Sequence, residues 1–256
     1  MARCNIKSGT RILCEKPLFT LPGSEDFGSL HKLVASKLQS LSKEEQRQFL
    51  SMHNNYPGWH PFAGTFKTNA LPCGPSAAIG GVYPEICLIN HCCLPNCHNF
   101  WNPDSQRETI HATEDILAGE EITISYNYSP HTQRQVYLAV NFGFECDCNL
   151  CSLPPEELRV SDDRRRRIEE LDKQIGDPVT MMTKPVMSLH ACKALLELLL
   201  KEYGSSDTAL VARCYYDAFQ IVISHGDQAR AQVFAERGYR ARVACEGGRR
   251  RRNTRR

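Results

Sequence analysis

The stretch that most constrains the fold is residues 90–96, which read Asn-His-Cys-Cys-Leu-Pro-Asn. It follows the apolar run Ile-Cys-Leu-Ile at residues 86–89, which we expect to form a buried strand because it carries no charge. Pro95 has no backbone N–H and cannot continue regular strand pairing. An amide, an imidazole and two thiols therefore leave the predicted strand together, and their partners must come from elsewhere in the chain.

Two later segments can supply these partners. Residues 119–128 read Gly-Glu-Glu-Ile-Thr-Ile-Ser-Tyr-Asn-Tyr, and residues 142–151 read Phe-Gly-Phe-Glu-Cys-Asp-Cys-Asn-Leu-Cys. The second segment places the thiols of Cys146, Cys148 and Cys151 within six residues. Zinc takes four ligands in a tetrahedron, so this spacing predicts a zinc site with one further ligand from outside the loop. The alternative is a set of buried structural cysteines without a metal.

The length and composition limit the number of domains, the partners and the cellular compartment of this chain. It has 256 residues, enough for one large domain or two small ones, and a net charge of +2, which gives no overall attraction to nucleic acid or membrane. No apolar run is long enough to span a bilayer, and Met1 is not followed by the apolar segment of a signal peptide. Thirteen cysteines without such a signal predict a reducing compartment, in the nucleus or the cytoplasm.

Together, the Asn-His-x-Cys stretch, the strand ending at Tyr126 and the Cys-x-Cys-x-x-Cys loop resemble the SET-domain protein-lysine methyltransferases. The resemblance is to the branch with the fungal SET and SET-and-MYND proteins, which carry a helical, tetratricopeptide-like C-terminal extension. It implies an α+β fold, in which short strands with a helical insert are followed by a zinc-binding post-SET loop and an all-α extension. The implied division is a SET domain at 1–130 with an insert at about 24–70, a post-SET zinc loop at 131–155, a helical extension at 156–246 and a disordered basic tail at 247–256.

Local patterns place individual elements within this outline. A turn at 102–105 predicts a β-hairpin, and residues 121–128 predict a strand. Residues 5–12 and 115–122 share one spacing of Asn or Asp and Gly, which predicts two similar turns that each begin a strand. Residues 56–69 are rich in aromatic, Gly and Pro residues and predict an ordered loop. Helices are predicted at residues 27–37, 42–52, 161–175, 188–203, 207–224 and 227–245, the second with a capping box of Ser42 and Glu45.

The resemblance also implies roles for individual residues. Tyr126 matches the catalytic tyrosine, and Cys93 matches the cysteine that completes the zinc site with Cys146, Cys148 and Cys151. The residues that match contacts to the cofactor S-adenosylmethionine are Asn69, Asn90, His91 and Phe144. The residues assigned to the substrate lysine channel are Phe142, Tyr128 and Ile124. Many relatives carry Tyr or Phe at the position of Ile124, so the number of methyl groups transferred stays open.

Each of these residues also has a purely structural interpretation. A strand tyrosine is commonly half-buried, and a histidine beside a strand is commonly a hydrogen-bonded core residue. The motif context favours functional roles for Tyr126 and His91. Cys92 stands where the family usually has serine, and it is interpreted as a passive substitution, a competing ligand or a redox partner of Cys93.

One part of the family pattern falls outside the sequence. The Gly-x-Gly strand that approaches the cofactor would precede Met1, so we expect weakened cofactor binding and lower stability than in a complete relative. The leading hypothesis is a monomeric methyltransferase acting on a lysine of a histone or another protein. The second is a catalytically impaired zinc-binding module that binds a peptide. The third is nucleic-acid binding, which only the arginine-rich residues 249–256 support.

Overall fold

The computed structural model describes residues 1–23, 25–74, 76–204 and 208–248. The arginine-rich residues 249–256, on which the predictions of a disordered basic tail and of nucleic-acid binding depend, lie outside the described residues. Within the described ranges, no helix combines the length and the apolar character needed to cross a bilayer.

The first half of the chain is built from short strands. In chain order they are β1 (Arg11–Glu15), β2 (Thr20–Pro22), β3 (Ala70–Pro72), β4 (Ile79–Val82), β5 (Asn90–His91), β6 (Cys97–Asn102), β7 (Arg107–Ala112) and β8 (Thr123–Ile124). The order β1-β7-β6 forms one antiparallel sheet and the order β2-β4-β3 a second, while β5 pairs in parallel with β8. The predicted hairpin is confirmed as β6 and β7, whose register pairs Asn99 with Ile110 and Trp101 with Glu108.

Helices form the insert and the second half of the chain. They are α1 (Phe27–Gln39), α2 (Lys43–Leu50), α3 (Pro61–Asn69), α4 (His131–Phe142), α5 (Pro155–Ile175), α6 (Pro178–Thr183), α7 (Pro185–Tyr203), α8 (Ala209–Ser224) and α9 (Gln228–Glu246). The predicted helices are confirmed with shifts at their ends. The structure also contains α4 and α6, which were not predicted. The α+β fold class is confirmed.

The insert packs around an aromatic core. Leu30 and Phe49 are fully buried, and the ring of Phe66 on α3 stacks on Phe19 with 6.1 Å between centroids. The loop predicted at 56–69 is wrong in its second half, where α3 begins. Proline has a fixed φ and lacks an N–H, which suits the first turn of a helix, so Pro61 starts α3 rather than interrupting it.

The predicted capping box at the start of α2 is confirmed. The Ser42 hydroxyl accepts the backbone N–H of Glu45 at 3.3 Å, and the Glu45 carboxylate accepts the N–H of Ser42 at 2.8 Å. Two N–H groups that a helix leaves unpaired at its start are thereby satisfied.

The strand predicted at residues 86–89 is wrong. Ile86–Leu88 is a 3-10 turn in which Ile86 is buried and Leu88 is 71% exposed. The Glu15 carboxylate accepts the backbone N–H groups of Glu85 and Ile86, at 3.1 and 3.0 Å, where a strand would have used a neighbouring strand. A run of four apolar residues suits a strand or one helical turn equally well, and the contact with Glu15 favours the turn.

The strand predicted at residues 121–128 is also shorter than expected. Only Thr123–Ile124 pairs with β5, because β5 itself has two residues before the chain reaches Pro95. After β8 the backbone bends, and the Ser125 hydroxyl donates to the carbonyl of Asn127 at 3.0 Å.

The two turns of similar sequence contact each other. Ile6 and Ile116 form an antiparallel bridge, and the Asn5 side chain accepts the N–H of Ala118 at 2.9 Å. In the opposite direction, the Asp115 carboxylate accepts the N–H of Ser8 at 3.0 Å. The prediction of two similar turns is confirmed, and their pairing joins the start of the chain to the segment that leads into β8.

The C-terminal helices form a second hydrophobic core. The almost fully buried side chains in this core include Leu171, Leu195, Leu199, Val211 and Ile221. The last two helices, α8 and α9, pack against each other as a hairpin, and α9 also packs against the β6–β7 hairpin. The extension therefore covers one face of the strand region.

A buried arginine joins this extension to the strand region. The guanidinium of Arg165 on α5 donates to the carbonyls of Cys93 and Tyr128, at 3.0 and 3.2 Å, and to the carboxylate of Glu202 on α7 at 2.6 Å. Arg165 is 1% exposed, and the Glu202 carboxylate also accepts from Ser161 at 2.6 Å and from Arg164 at 2.8 Å. Arg165 thus fixes α5 and α7 against the residues that follow β5 and β8.

Replacing Arg165 with Met is expected to lower the free energy of unfolding by about 3 kcal/mol. The substitution leaves buried carbonyls and a buried carboxylate without one of their donors, and breaking a buried ion pair costs about that much. Urea unfolding followed by circular dichroism measures the change.

The matched control is Arg166→Met, on the same helix. Its ion pair with Asp163 is exposed, with 55% of the arginine side chain accessible, so a loss of less than about 0.5 kcal/mol is expected. Equal losses of unfolding free energy in the two variants would show that Arg165 does not join the helical extension to the strand region.

Candidate active site and zinc cluster

Four thiols from two distant segments converge beside β5. Cys93 lies just after that strand, and Cys146, Cys148 and Cys151 follow α4; their sulfur atoms all lie within 4.8 Å of one another. The Cys93 sulfur is 3.7 Å from that of Cys146 and 3.4 Å from that of Cys151. A tetrahedral zinc ion with Zn–S bonds of about 2.3 Å separates its sulfurs by about 3.8 Å. The four residues fit a zinc ion.

Two buried arginines place positive charge beside these thiols. Arg134 on α4 is completely buried, and its guanidinium donates to the sulfur of Cys151 at 3.6 Å and to the carbonyl of Ser129 at 2.5 Å. Arg165 donates to the carbonyl of Cys93. Zinc binds thiolates, which carry negative charge, so nearby guanidinium groups favour the metal-binding form. Cys92 is not one of the four mutually close thiols.

His91 connects the thiol cluster to Tyr126. The Nδ1 atom of His91 accepts the backbone N–H of Tyr126 at 3.0 Å, and its Nε2 atom lies 3.3 Å from the Cys93 sulfur. Burial lowers the pKa of His91 to about 4, so the ring is neutral and carries one proton. Because Nδ1 accepts, that proton is on Nε2 and is donated to the sulfur. The position of the backbone at Tyr126 thus depends on the position of the Cys93 thiol.

A cleft of about 290 Å³ opens beside Tyr126. Its walls come from the end of α3, the 3-10 turn, β6, β8 and α4; they include Asn69, Ile86, Ile89, Asn99, Ile124, Tyr126, Tyr137 and Phe142. The Tyr126 ring lies 4.6 Å from that of Phe142, and its hydroxyl donates to the carbonyl of Ile89 at 2.6 Å. Burial raises the pKa of Tyr126 to about 12, so a neutral phenol lines the cleft.

The residues assigned to the cofactor lie around this cleft and the histidine. The Asn69 amide donates to the carbonyls of His53 and Thr65, both at 2.7 Å, which fixes its side chain at the rim. Asn90 is exposed next to His91 on β5, and Phe144 is 36% exposed with its ring 6.3 Å from that of His91. An exposed aromatic ring beside polar groups suits a purine, so the residues fit the adenosine part of S-adenosylmethionine.

The insert contacts the segment that carries Phe142 and Phe144, whose two rings we call the aromatic wall. The Asn55 amide donates to the carbonyl of Asn141 at 3.0 Å, at the end of α4. Gly143, between the two phenylalanines, has a φ of +73°, and a Cβ there would lie 3.0 Å from the Asn55 side-chain oxygen. Glycine is required at this position for both its backbone angle and the space it leaves.

One predicted channel residue lies elsewhere. Tyr128 packs edge-on against Tyr203 of α7, with 6.0 Å between centroids, in the cavities between the strand region and the extension. The structure therefore does not bring Tyr128 to the cleft that Tyr126, Phe142 and Ile124 share.

Tyr137 and Asn99 are among the cleft residues to which the sequence assigned no site role. Tyr137 belongs to α4, a helix that was interpreted as part of a loop, and its ring lies 6.1 Å from that of Phe142. Asn99 is on the inward face of β6, where the alternation with Cys97 and Trp101 was the available signal.

Asn99 contacts a buried carboxyl group on the neighbouring strand. Its amide donates to one oxygen of Glu108 at 3.0 Å, and the other carboxyl oxygen is buried without a hydrogen-bond partner among the described residues. Burial raises the pKa of Glu108 from 4.5 to about 7. Because burial disfavours the charged carboxylate, Glu108 costs folding free energy near neutral pH.

Comparison with known proteins agrees with this geometry. Residues 1–127 match the SET domain, which includes Tyr126 and the Asn-His-Cys-Cys stretch. The histone-lysine N-methyltransferase set5 of Schizosaccharomyces pombe is 33% identical over 251 residues, which cover 96% of this chain and 75% of set5. The chain belongs to the SET-domain family. The family prediction, a protein-lysine methyltransferase of the fungal SET and SET-and-MYND type, is confirmed.

Further relatives are matched over shorter parts of their length. Histone-lysine N-methyltransferase SMYD3 of Mus musculus is 33% identical over 162 residues, which cover 62% of this chain and 36% of SMYD3. Histone-lysine N-methyltransferase SET5 of Meyerozyma guilliermondii is 42% identical over 134 residues, covering 46% of this chain and 25% of that protein. This SET-domain chain therefore spans three quarters of set5 but about a third or less of these two relatives.

Replacing Cys148 with Ser is expected to remove zinc from the purified protein. Losing one thiolate from a four-cysteine set breaks the tetrahedral site, and metal affinity and folding are coupled. Inductively coupled plasma mass spectrometry should find about one zinc per chain in the unchanged protein and none in the variant, with a lower unfolding temperature.

The control is Cys4→Ser, which changes an exposed thiol outside the cluster. It should keep the zinc content and the unfolding temperature of the unchanged protein. Retention of zinc by Cys148→Ser would show that the cluster is not the metal site.

Replacing Glu108 with Gln is expected to change the pH dependence of stability. Since the folded pKa is raised above the unfolded value of 4.5, Glu108 is compatible with the folded state below about pH 4.5 and destabilises it progressively up to about pH 7. Between about pH 5.5 and about pH 8, the unchanged protein should lose about 2 kcal/mol relative to the variant. Urea unfolding of both proteins across this range isolates the effect, and parallel pH profiles would contradict it.

Proposed function

We propose that this chain transfers a methyl group from S-adenosylmethionine to the side-chain amine of a lysine in a histone or another protein. The observation that supports this most strongly is the cleft in which the Tyr126 hydroxyl and the Phe142 ring lie together. A cleft with aliphatic side chains and a phenol at its wall suits the extended, unbranched side chain of lysine. The names of the relatives favour a histone as the substrate.

The cofactor would lie on the His91 side of the cleft. The side-chain oxygens of Asn69 and Asn90 would accept from its polar groups, because the Asn69 amide N–H groups already donate to two carbonyls and the Asn90 amide donates to Glu121, and the exposed ring of Phe144 offers a face to its adenine. S-adenosylmethionine, when bound, supplies a methyl group on a positively charged sulfur, which leaves as a neutral thioether. The chemistry required of the protein is therefore limited to positioning and desolvation.

The cleft residues prepare the lysine for reaction. The free amine of lysine has a pKa of about 10.4, and the reaction needs its neutral form. Aliphatic groups of Ile89 and Ile124 exclude water and favour the neutral amine by desolvation. Tyr126 donates its hydroxyl proton to the Ile89 carbonyl, so its oxygen lone pairs can accept an N–H of the amine and orient it. The amine lone pair forms the new C–N bond, and the released proton passes to water.

The thiol cluster maintains this arrangement without taking part in the reaction. Four cysteine ligands leave a zinc ion no open position, so the metal would be structural. It would hold residues 142–151 against the end of β5 and thereby place Phe142 and Phe144. The division into a SET domain at 1–130, a zinc-binding segment at 131–155 and a helical extension at 156–246 is the arrangement that we propose for this function.

The setting of the reaction follows from the same residues. All thirteen cysteines carry unpaired thiols, which favours a reducing compartment, and histones as substrates favour the nucleus or the cytoplasm. We propose that the chain acts as a monomer, since the residues that line the cleft and the four clustered thiols all come from one chain.

Replacing Tyr126 with Phe is expected to lower the rate of methyl transfer by about 10²-fold or more. The change removes one polar group aimed at the reacting amine and keeps the ring that packs on Phe142. Mass spectrometry of recombinant core histones after incubation with S-adenosylmethionine measures the product, and calorimetric titration measures cofactor binding, which should be little changed.

The control for this experiment is Tyr216→Phe, which changes a half-exposed tyrosine on α8, far from the cleft in the chain. It should methylate histones like the unchanged protein. Full activity in Tyr126→Phe would show that the Tyr126 hydroxyl does not orient the reacting amine and would contradict the proposed role of the cleft.

A further inference from the structure

A fifth thiol lies beside the four that fit a zinc ion. Cys92 comes directly before Cys93, and its thiol forms a hydrogen bond with the sulfur of Cys148. The backbone N–H of Cys92 donates to the carbonyl of Ile124 at 3.0 Å, which fixes the residue beside the cluster. Because a tetrahedral zinc ion uses four sulfurs, Cys92 is a surplus thiol in contact with a metal ligand.

Cys92 and Cys148 are also open to small molecules in solution. Both residues are partly exposed, whereas Cys93 and Cys146 are buried. Cys151 is partly exposed too, but its sulfur accepts a hydrogen bond from a buried guanidinium. Exposure and mutual contact therefore distinguish Cys92 and Cys148 from the other thiols of the cluster.

The sequence left three roles open for Cys92, and the structure favours a redox role with a different partner. Four other thiols already complete the set of mutually close sulfurs, so Cys92 is not needed as a ligand. Consecutive Cα atoms are about 3.8 Å apart, which is below the usual disulfide range of about 4.4–6.8 Å and disfavours a bond between Cys92 and Cys93. Cys148 is distant in the chain but in contact with Cys92, so it is the better partner.

We propose that Cys92 and Cys148 form a reversible disulfide when a hydroperoxide oxidises the thiol cluster, and that the loss of this zinc ligand stops methyl transfer. The inference concerns the regulation of the site and goes beyond the proposed function. Only its last step, the effect on methyl transfer, rests on that function.

The reaction has two steps. The Cys148 thiolate attacks the hydroperoxide, so an S–O bond forms, the O–O bond breaks, and the released alkoxide or hydroxide takes a proton from water. The Cys92 sulfur then attacks the Cys148 sulfur of this sulfenic acid. The S–S bond forms, the S–O bond breaks, and the hydroxyl group leaves as water with the thiol proton of Cys92. The two sulfurs together lose two electrons, which reduce the peroxide.

Oxidation at Cys148 reaches the cleft through the supports of the cluster. Three sulfurs no longer complete a tetrahedral site, so the ion is released and residues 142–151, which carry the aromatic wall, lose their attachment to the end of β5. The Cys93 sulfur, which the His91 ring connects to the backbone of Tyr126, also loses its fixed position. Methyl transfer is therefore expected to fall although no residue of the cleft is modified.

The experiment treats the purified, zinc-loaded full chain with hydrogen peroxide. A chromogenic chelator should detect the release of about one zinc per chain. Mass spectrometry of unreduced peptides should find the Cys92 and Cys148 peptides joined, with a mass about 2 Da below the sum of the two thiol peptides. Dithiothreitol followed by added zinc should restore both the zinc content and the methylation of recombinant core histones.

The matched variant is Cys92→Ser, which keeps the shape of the side chain and removes the sulfur. It should bind zinc like the unchanged protein, since Cys92 is not a ligand. After peroxide, Cys148 has no free thiol beside it and should proceed to the sulfinic acid, about 32 Da heavier, which dithiothreitol does not reverse. Cys92→Ala provides a second test of the same loss, and Cys4→Ser, which changes an exposed thiol outside the cluster, should respond like the unchanged protein.

The outcomes separate this inference from the proposed function. A disulfide between two of the four ligands, full recovery of zinc by oxidised Cys92→Ser, or absence of zinc from both untreated Cys92 variants would overturn the role of Cys92. Undiminished methyl transfer by the disulfide form would overturn the link to the cleft. A reversible Cys92–Cys148 disulfide in a protein that methylates no histone before oxidation would support the disulfide and contradict the proposed function.

Discussion

The site depends on one short hydrogen-bonded connection through the His91 ring. The backbone N–H of Tyr126 reaches one nitrogen of the ring, and the other nitrogen reaches the sulfur of Cys93. A single neutral tautomer satisfies both contacts, so the ring transmits position as well as filling space. The segment that carries Tyr126 and the segment that carries Phe142 and Phe144 are thereby both held in place by the same four sulfurs. Each element of the cleft is short, and none would hold its place on propensity alone.

Charge balance completes this connection. Four thiolates around a divalent ion carry a net negative charge, and burying it without compensation would be costly. Arg134 and Arg165 approach the cluster from different helices, one at a sulfur and one at a carbonyl. The guanidinium of Arg165 also forms an ion pair with the buried carboxylate of Glu202 on α7. The helical extension is therefore part of the electrostatic surroundings of the cluster. The extension is in this sense a structural component of the site and more than an appended module.

The sequence was sufficient wherever one short segment carried its own evidence. The thiol spacing, the capping box at Ser42 and the β6–β7 hairpin are all specified by neighbouring residues, and all appear as expected. It failed where the deciding partner is distant in the chain. The N–H groups around Ile86 are accepted by Glu15, 71 residues earlier. This contact favours a turn in an apolar segment that would otherwise suit a strand. Tyr128 alternates with Tyr126 in sequence, but the strand ends at Ile124, so alternation no longer determines where Tyr128 points. Tyr137 belongs to the cleft through tertiary packing that no local pattern records, whereas the alternation along β6 places Asn99 on the inward face without showing that this face borders a cleft.

The contact between Asn55 and the end of α4 has a consequence for how such enzymes can diverge. Asn55 of the insert does not line the cleft, yet it lies against the glycine between the two phenylalanines of the aromatic wall. A lengthened or shortened insert would shift this contact and tilt both rings together. Substrate preference can therefore change through a residue that does not line the cleft, while every residue that lines the cleft stays the same.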